Sequence, residues 1–415
     1  MDHAAETPAP LLAVLHDVGS ASAMQIAVSA RGLCELVFLA DRSLPHVAEQ
    51  LPLMRDLAEV VDITGLPWQQ VCKEVIALRP SGVMTCAEHQ IVGAAALARA
   101  CGTPGHDEAV ARDLTDKLRQ REVLAERGVQ STACVPLYGP EDVAAAGELV
   151  GFPAVLKPRH GAASVDTCRV ESAAEGTAVA RRFEVGPDRP FVLEELLPDG
   201  PARTPLGDYV SVESVVQAGE ISTFGITGSF PLAAPFRETG KAIPAMVTPE
   251  EAEQITALAH AAITALGVRD SLCHTEVKLT PQGPRIIEVN GRLGGWVGEL
   301  TLRATGVDMV RAAMSVALGR PAELPSGTAP ERVVFQYFVV CPQDTSEMVS
   351  IAPLEALAEL PAVEWVETRV RDGQRISWRL GSLQQLAVLR GTVGRHEELV
   401  ELVAAAALAV KRACR

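Results

Sequence analysis

The stretch that most limits what this chain can fold into is His274-Thr-Glu-Val-Lys-Leu-Thr-Pro-Gln-Gly-Pro-Arg-Ile-Ile-Glu-Val-Asn290. Two strand-like runs flank Pro281-Gln-Gly-Pro284, which predicts a hairpin. With the turn centred on Gln282, Glu276 falls opposite Glu288. Alternation then sets His274, Glu276 and Lys278 on one face with Glu288 and Asn290. The other face carries Val277, Leu279, Ile287 and Val289 and can be buried. Two carboxylates directly opposite one another repel and weaken a strand pair. A hard cation between them reverses the sign, and Mg²⁺ takes one or two carboxylates together with phosphate oxygens. The alternative is a solvated polar face that tolerates the repulsion, and spacing alone does not separate the two.

Around this hairpin the chain divides into three segments. Residues 1–112 alternate between apolar runs of buried-strand type (Leu11–Leu15, Leu36–Leu39, Ser81–Thr85) and helical stretches, one over residues 20–32 closing on Gly32 and one over Ile91–Arg99. This predicts a Rossmann-like parallel sheet with helices on its faces, a scaffold that also forms part of a substrate wall. The turn Asp17-Val-Gly-Ser20 does not complete a GxGxxG fingerprint, so no dinucleotide is expected there. Residues 113–325 hold a helix from near Asp113 or Thr115 to Gly128. They also hold a second helix opened by the capping box Thr248-Pro-Glu-Glu251 and closed by Gly267, with Ile255, Leu258, Ala262 and Leu266 on its apolar face. Past the Pro321–Pro330 linker, residues 326–415 offer strands at Val333–Val340 and Ala362–Val370 and a closing amphipathic helix, and nothing in them reads as a site.

Phosphate signals lie in the middle segment. Phe152-Pro-Ala-Val-Leu-Lys157 is a buried-type strand ending in lysine, followed by the small-residue loop Arg159-His-Gly-Ala-Ala-Ser164, whose amides can wrap a triphosphate. It is not a P-loop, and taken alone it is equally a turn behind a snorkelling lysine. Phe191-Val-Leu-Glu-Glu-Leu196 ends in two acids and reads as a sheet edge or a hinge. Arg292, two residues past the acidic face, suits a phosphate, a carboxylate or an ordinary surface ion pair.

The order of these pieces is more specific than any one of them. Asp116-Lys117, the Lys157 strand, the small-residue loop, the Val192-Leu-Glu-Glu-Leu196 hinge, Gly207-Asp-Tyr-Val-Ser-Val-Glu213 and the Glu276…Glu288-x-Asn290-x-Arg292 hairpin follow one another. Together they resemble the ATP-grasp superfamily of carboxylate–amine ligases, within it the L-amino acid ligases that make dipeptides. The closer likeness rests on His274–Lys278, Arg292–Trp296 and Glu238-Thr-Gly-Lys241. The resemblance implies an α/β chain with a pre-ATP-grasp domain (1–112), an ATP-grasp domain (113–325, its mobile lid over roughly 131–195) and a C-terminal α+β lobe (326–415). It implies ATP contacts from Lys117, Lys157, Ser164, Glu194, the Leu196 backbone and Asp208 on the ribose side. Glu276, Glu288 and Asn290 would hold two Mg²⁺ ions, with Mn²⁺ as an alternative. Arg292 and Lys241 would act at the reacting groups, and Glu238, His274, Gly294, Gly295 and Trp296 would form the substrate pocket. Two departures stand out: Lys241 replaces the histidine of the dipeptide ligases, and the loop lacks the usual glycine after Ser164.

The implied reaction joins a carboxylate to an amine through an acyl phosphate, with an amino-bearing secondary-metabolite intermediate as the alternative substrate. Biotin-dependent carboxylation fits poorly, because Leu293-Gly-Gly-Trp-Val297 stands where those enzymes carry Gln-Val-Glu-His. An ATP-binding sensor would be expected to lose metal ligands, all of which are present. A net charge of −15 argues against a nucleic-acid partner. The longest apolar run, Leu402–Val410, is far short of the ~18–20 residues of a membrane span. The start Met1-Asp-His-Ala-Ala-Glu6 has no basic region of a signal peptide, and nine scattered cysteines without a CxxC pair read as reduced thiols. A cytoplasmic chain acting on small molecules is therefore expected, and dimers are common among ligases of this resemblance.

Overall fold

The computed structural model describes residues 9–201, 203–324 and 330–415, so the N-terminal hexapeptide and part of the Pro321–Pro330 linker lie outside the described residues. The first unit is a parallel sheet of β1 (Leu11–His16), β2 (Glu35–Ala40), β3 (Glu59–Asp62) and β4 (Gly82–Met84), in the order β3-β2-β1-β4. Its strands are buried on both faces, which is why they read as unbroken apolar runs. Leu12, Val14 and Phe38 pack toward helices Ala23–Ala30 and Pro45–Leu57, while Ala13, Leu15 and Val37 pack toward Trp68–Leu78 and Ile91–Cys101. The Ala23–Ala30 helix is fixed by a Ser22–Gln25 capping box. β3 has no sequence signal, since Val60-Val61 is too short a run to stand out.

The second unit is a small antiparallel sheet of β5 (Cys134–Leu137), β6 (Ala154–Pro158), β7 (Cys168–Val170) and β8 (Phe191–Glu195), in the order β5-β8-β6-β7. Helices Asp142–Val150 and Ala173–Arg182 cover one face around Val143, Ala146, Val179 and Ala180. The third and largest sheet holds β9 (Tyr209–Gln217), β10 (Glu220–Ser229), β11 (Gly240–Ile243), β12 (Ser271–Thr280), β13 (Gly283–Asn290), β14 (Val333–Val340), β15 (Trp365–Thr368) and β16 (Gln385–Val393). Its order is β13-β12-β9-β10-β11-β14-β16-β15, so the C-terminal strands extend the sheet of the middle segment through the β11–β14 pair. The Thr248-capped helix spans Pro249–Ala265 and buries Ile255, Ala259, Ala262 and Ile263 against β9, β12 and β13. The helix expected from Asp113 or Thr115 is instead two: Glu108–Leu114, then Lys117–Glu126 with Asp116 as N-cap. All nine cysteines are unbridged. Among the described residues no helix is long and apolar enough to cross a membrane.

The β12–β13 hairpin forms with Glu276 opposite Glu288, but by a different path from the one expected. The turn is tighter: Thr280 pairs with Gly283, and Lys278 with Arg285. A bulge between Glu276 and Val277 absorbs the one-residue difference and restores the acid pair. The consequence is that Ile286, not Ile287, joins Val277, Leu279 and Val289 in the core. Ile286→Ala should therefore cost about 2–4 kcal/mol in urea unfolding, while Ile287→Ala should cost under about 1 kcal/mol.

Candidate active site

The polar face of β13-β12-β9 is the floor of the site, and every acid on it lies beside a cation. Lys117 opens helix Lys117–Glu126, whose N-terminus is capped by the Asp116 carboxylate accepting from Leu118 and Arg119. Its Nζ lies 3.1 Å from Glu288 Oε1 and donates to the Gly161 carbonyl at 2.7 Å, so it joins the floor to the small-residue loop. Burial works against the Lys117 charge, but Glu288, Glu88 and Glu276 outweigh it and raise its pKa. Arg292 Nε donates to Glu88 Oε2 at 2.8 Å and its NH2 to Asn290 Oδ1 at 3.1 Å. Glu88 comes from the turn after β4, so the first unit does reach the site. Burial, with Glu288 nearby, pushes the Glu88 carboxyl above the ordinary range despite Arg292.

His274 and Glu213 are register partners on β12 and β9, which the sequence reading did not pair. His274 Nδ1 lies 2.8 and 3.0 Å from the two Glu213 oxygens, and Nε2 lies 3.6 Å from Glu276. Burial disfavours the imidazolium, yet Glu213 and Glu276 overcome it and raise the His274 pKa to about 9. Glu276 is held well below the usual carboxylate range: burial opposes its charge, and His274, Lys241 and Arg292 outweigh it. Lys241, 1% exposed, sets Nζ 2.7 Å from Glu238 Oε1 and stands 5.5 Å from the Tyr209 ring centroid. Its charge is likewise preserved, its pKa raised by Glu238 against burial.

Two of the acids that the resemblance set at the nucleotide, Glu194 and Asp208, are already paired. Glu194 does not stand open: Arg121 grips it at 2.8 and 3.0 Å, and Lys157 Nζ sits 2.8 Å from Oε1. All three side chains are buried. The two cations overcome burial and bring the Glu194 pKa down to about 2. Arg121 also donates to the Ile286 and Ile287 carbonyls, tying β8 of the small antiparallel sheet to the hairpin. It stands one helical turn beyond Lys117, the only sequence hint of its role. Leu196 follows β8, half-buried. Asp208 is closed by Lys278 at 2.7 Å and by the Gly200 amide at 2.6 Å, rather than facing outward as a free acid. Ser164 sits in the loop at φ +55°, beside Ala163 at +58° and Asp166 at +52°.

The C-terminal segment, which the sequence reading left without a role, packs Arg369 and Phe338 beside Trp296. Trp296, at φ +65°, caps helix Val297–Thr305, and the Arg369 guanidinium stacks 4.3 Å from its ring centroid. Gly294 is required by space, since a Cβ there would meet His274 Nδ1 at 2.4 Å, whereas a Cβ on Gly295 meets open space. Register carries a polar row from Ser229 through Lys241 and Gln336 to Arg390, all buried. The structure thus brings Lys117, Glu238, Lys241, His274, Glu276, Glu288, Asn290 and Arg292 into one contiguous network, with Lys157 and Glu194 in a neighbouring one.

The donor set fits a hard cation. Glu276 and Glu288 face each other beside the Asn290 amide oxygen, and hard oxygens of this kind suit Mg²⁺. Among the described residues no group of three or more His, Cys, Asp or Glu side chains could hold a metal ion. An ion here would therefore complete its shell with substrate phosphate oxygens and water.

Residues 150–299 match the ATP-grasp domain family. The whole chain superposes on the L-amino acid ligase from Bacillus licheniformis with a TM-score of 0.78, covering 99% of this chain and 98% of that one at 19% identity. In sequence it is 28% identical to the alanine–anticapsin ligase of Bacillus subtilis over 254 residues, 56% of this chain and 54% of that protein. It is 30% identical to carnosine synthase 1 of Gallus gallus over 278 residues, 61% of this chain and 29% of that protein. The chain thus spans about half the length of the first relative and under a third of the second. It carries an ATP-grasp domain in an ATP-grasp fold and is homologous to alanine–anticapsin ligase.

The His274–Glu213 pair makes a pH prediction. A pKa raised in the folded state stabilises fully below about 6.5, and that contribution is lost as pH rises through about 9. NMR titration should place the His274 imidazole near 9, and Glu213→Gln should bring it down by more than about 1 unit.

Proposed function

We propose that this chain is an ATP-dependent ligase that joins a carboxylate, an amino acid, to an amine through an acyl phosphate, releasing ADP and phosphate. The observation that carries this reading is the Glu276–Glu288 pair with Asn290 and Arg292 on one strand face, the lysine of a helix N-terminus beside it. Glu276, Glu288 and the Asn290 amide would hold Mg²⁺, which when bound supplies positive charge to the phosphate oxygens. Lys117 lies where it can pass from Glu288 to a phosphate without leaving the floor, and Arg292 is oriented by Glu88 toward the same face. Fixed cations of this kind act on a transferring phosphoryl group because they need no reorganisation as charge develops. The Arg159–Asp166 loop covers this side and excludes water from the acyl phosphate. His274, held protonated by Glu213, and Lys241 keep positive charge beside Glu238 and Glu276, where the acyl group would be attacked.

The Glu238–Lys241 pair favours a second reading of the substrate. Glu238 already has a buried cation at 2.7 Å, so it has less to offer an α-ammonium group. An acid without that group, or an amino-bearing metabolite as the amine, fits this pocket chemistry.

Phosphate release from MgATP across a panel of single amino acids, pairs and deaminated acids separates these. Release that requires a pair should appear in the wild type and fall by at least about 10³-fold in Glu288→Ala, with ATP binding by calorimetry weakened far less. Release supported by deaminated acids would favour the second reading. ATP binding without turnover over the whole panel would overturn ligation.

A further inference from the structure

The small-residue loop is held at both ends, and only one end belongs to the ATP-grasp segment. At its root the Lys117 amide donates to the Arg159 carbonyl at 3.0 Å, and Arg159 grips the Asp116 carboxylate at 2.6–2.9 Å. At its tip the Ser382 amide donates to the Ala163 carbonyl at 3.0 Å. Gly381 has φ +61°, and a Cβ there would stand 2.4 Å from that same carbonyl oxygen and 3.1 Å from the Val165 nitrogen. The loop fits against bare backbone at this point. Ala163, Ser164 and Asp166 all have positive φ, a shape that non-glycine residues keep only where neighbours hold it.

Ser382 has a second partner. Its Oγ accepts the Glu238 amide at 3.0 Å, and the residue is 5% exposed, so water does not replace either bond freely. One side chain and one amide of a single residue therefore join the phosphate-side loop to the backbone of the acid that faces Lys241.

We infer that Gly381–Ser382 is the seat on which the Arg159–Asp166 loop closes, and that Ser382 is a positioning residue linking that closure to Glu238. The inference rests on the ligase reading above for its functional meaning and on geometry alone for the linkage. When the loop leaves, the Ser382 amide loses its acceptor and the segment that fixes the Glu238 amide is released. Linkage is reciprocal, so a substrate that orders Glu238 favours the closed loop. The water-sensitive step is then protected only when the acid substrate is in place.

Two substitutions separate the seat from the link in the full chain without ligand. Gly381→Ala should speed trypsin cleavage after Arg159 and also speed hydrogen exchange of the Glu238 amide, each about fivefold, the scale of one lost hydrogen bond. Ser382→Ala should speed Glu238 exchange by a similar factor and Arg159 cleavage by clearly less than Gly381→Ala does, because it keeps the amide that seats the loop and removes only the coupled bond. With MgATP and a substrate pair, Ser382→Ala should raise KM for the acid and not for ATP, a split that general destabilisation does not produce. Arg159 cleavage unchanged in Gly381→Ala would remove the seat, and Glu238 exchange unchanged in that variant would remove the link. Should Gly381→Ala not fold, the wild type decides, since an unprotected Ser382 amide overturns the inference. A wild type that binds no ATP would refute the ligase reading and leave these ligand-free readouts standing.

Discussion

The structure depends on charge compensation across one strand face. Glu88, Glu213, Glu238, Glu276 and Glu288 gather where water is largely excluded, and a buried carboxylate without a partner would protonate or unfold its surroundings. Four cations meet these five acids: Arg292 pairs with Glu88, Lys241 with Glu238 and Lys117 with Glu288, while His274 lies between Glu213 and Glu276. The result is a site whose cations are held ready by its acids.

The second cluster does mechanical service. Glu194 on β8 is clamped by Arg121 from the Lys117 helix and by Lys157 from its own sheet. Arg121 continues to two carbonyls of the hairpin, so the β5–β8 sheet and the acidic floor share one buried guanidinium. A bidentate arginine suits this because its fork fixes direction as well as charge. The β5–β8 sheet is thereby registered against the acidic hairpin by hydrogen bonds, not by packing alone.

The C-terminal strands are part of the same design. Because β14 pairs with β11, Gln336 stands beside Lys241 and Arg390 beside Gln336, and Arg369 reaches the Trp296 ring. This part of the sheet face is thus built by residues 54 to 95 positions apart, drawn from the middle and C-terminal segments.

The local pattern determined a good deal. The parallel sheet showed as apolar runs because it is buried on both sides, the Thr248 cap fixed the start of its helix, and the hairpin showed as two strand-like runs about a turn, although its Glu276–Glu288 opposition depends on a bulge that alternation does not contain. Tertiary structure decided what local spacing does not contain. The bulge that puts Ile286 in the core depends on β9 holding β12 in place, and the His274–Glu213 pair exists only through that register. Glu88, Arg369 and Ser382 gave no signal, and Arg121 only its place one turn beyond Lys117, because each acts through a partner far along the chain. Sequence periodicity records which face of an element is buried. Which charge meets which across the site is set by how the sheets are paired and stacked.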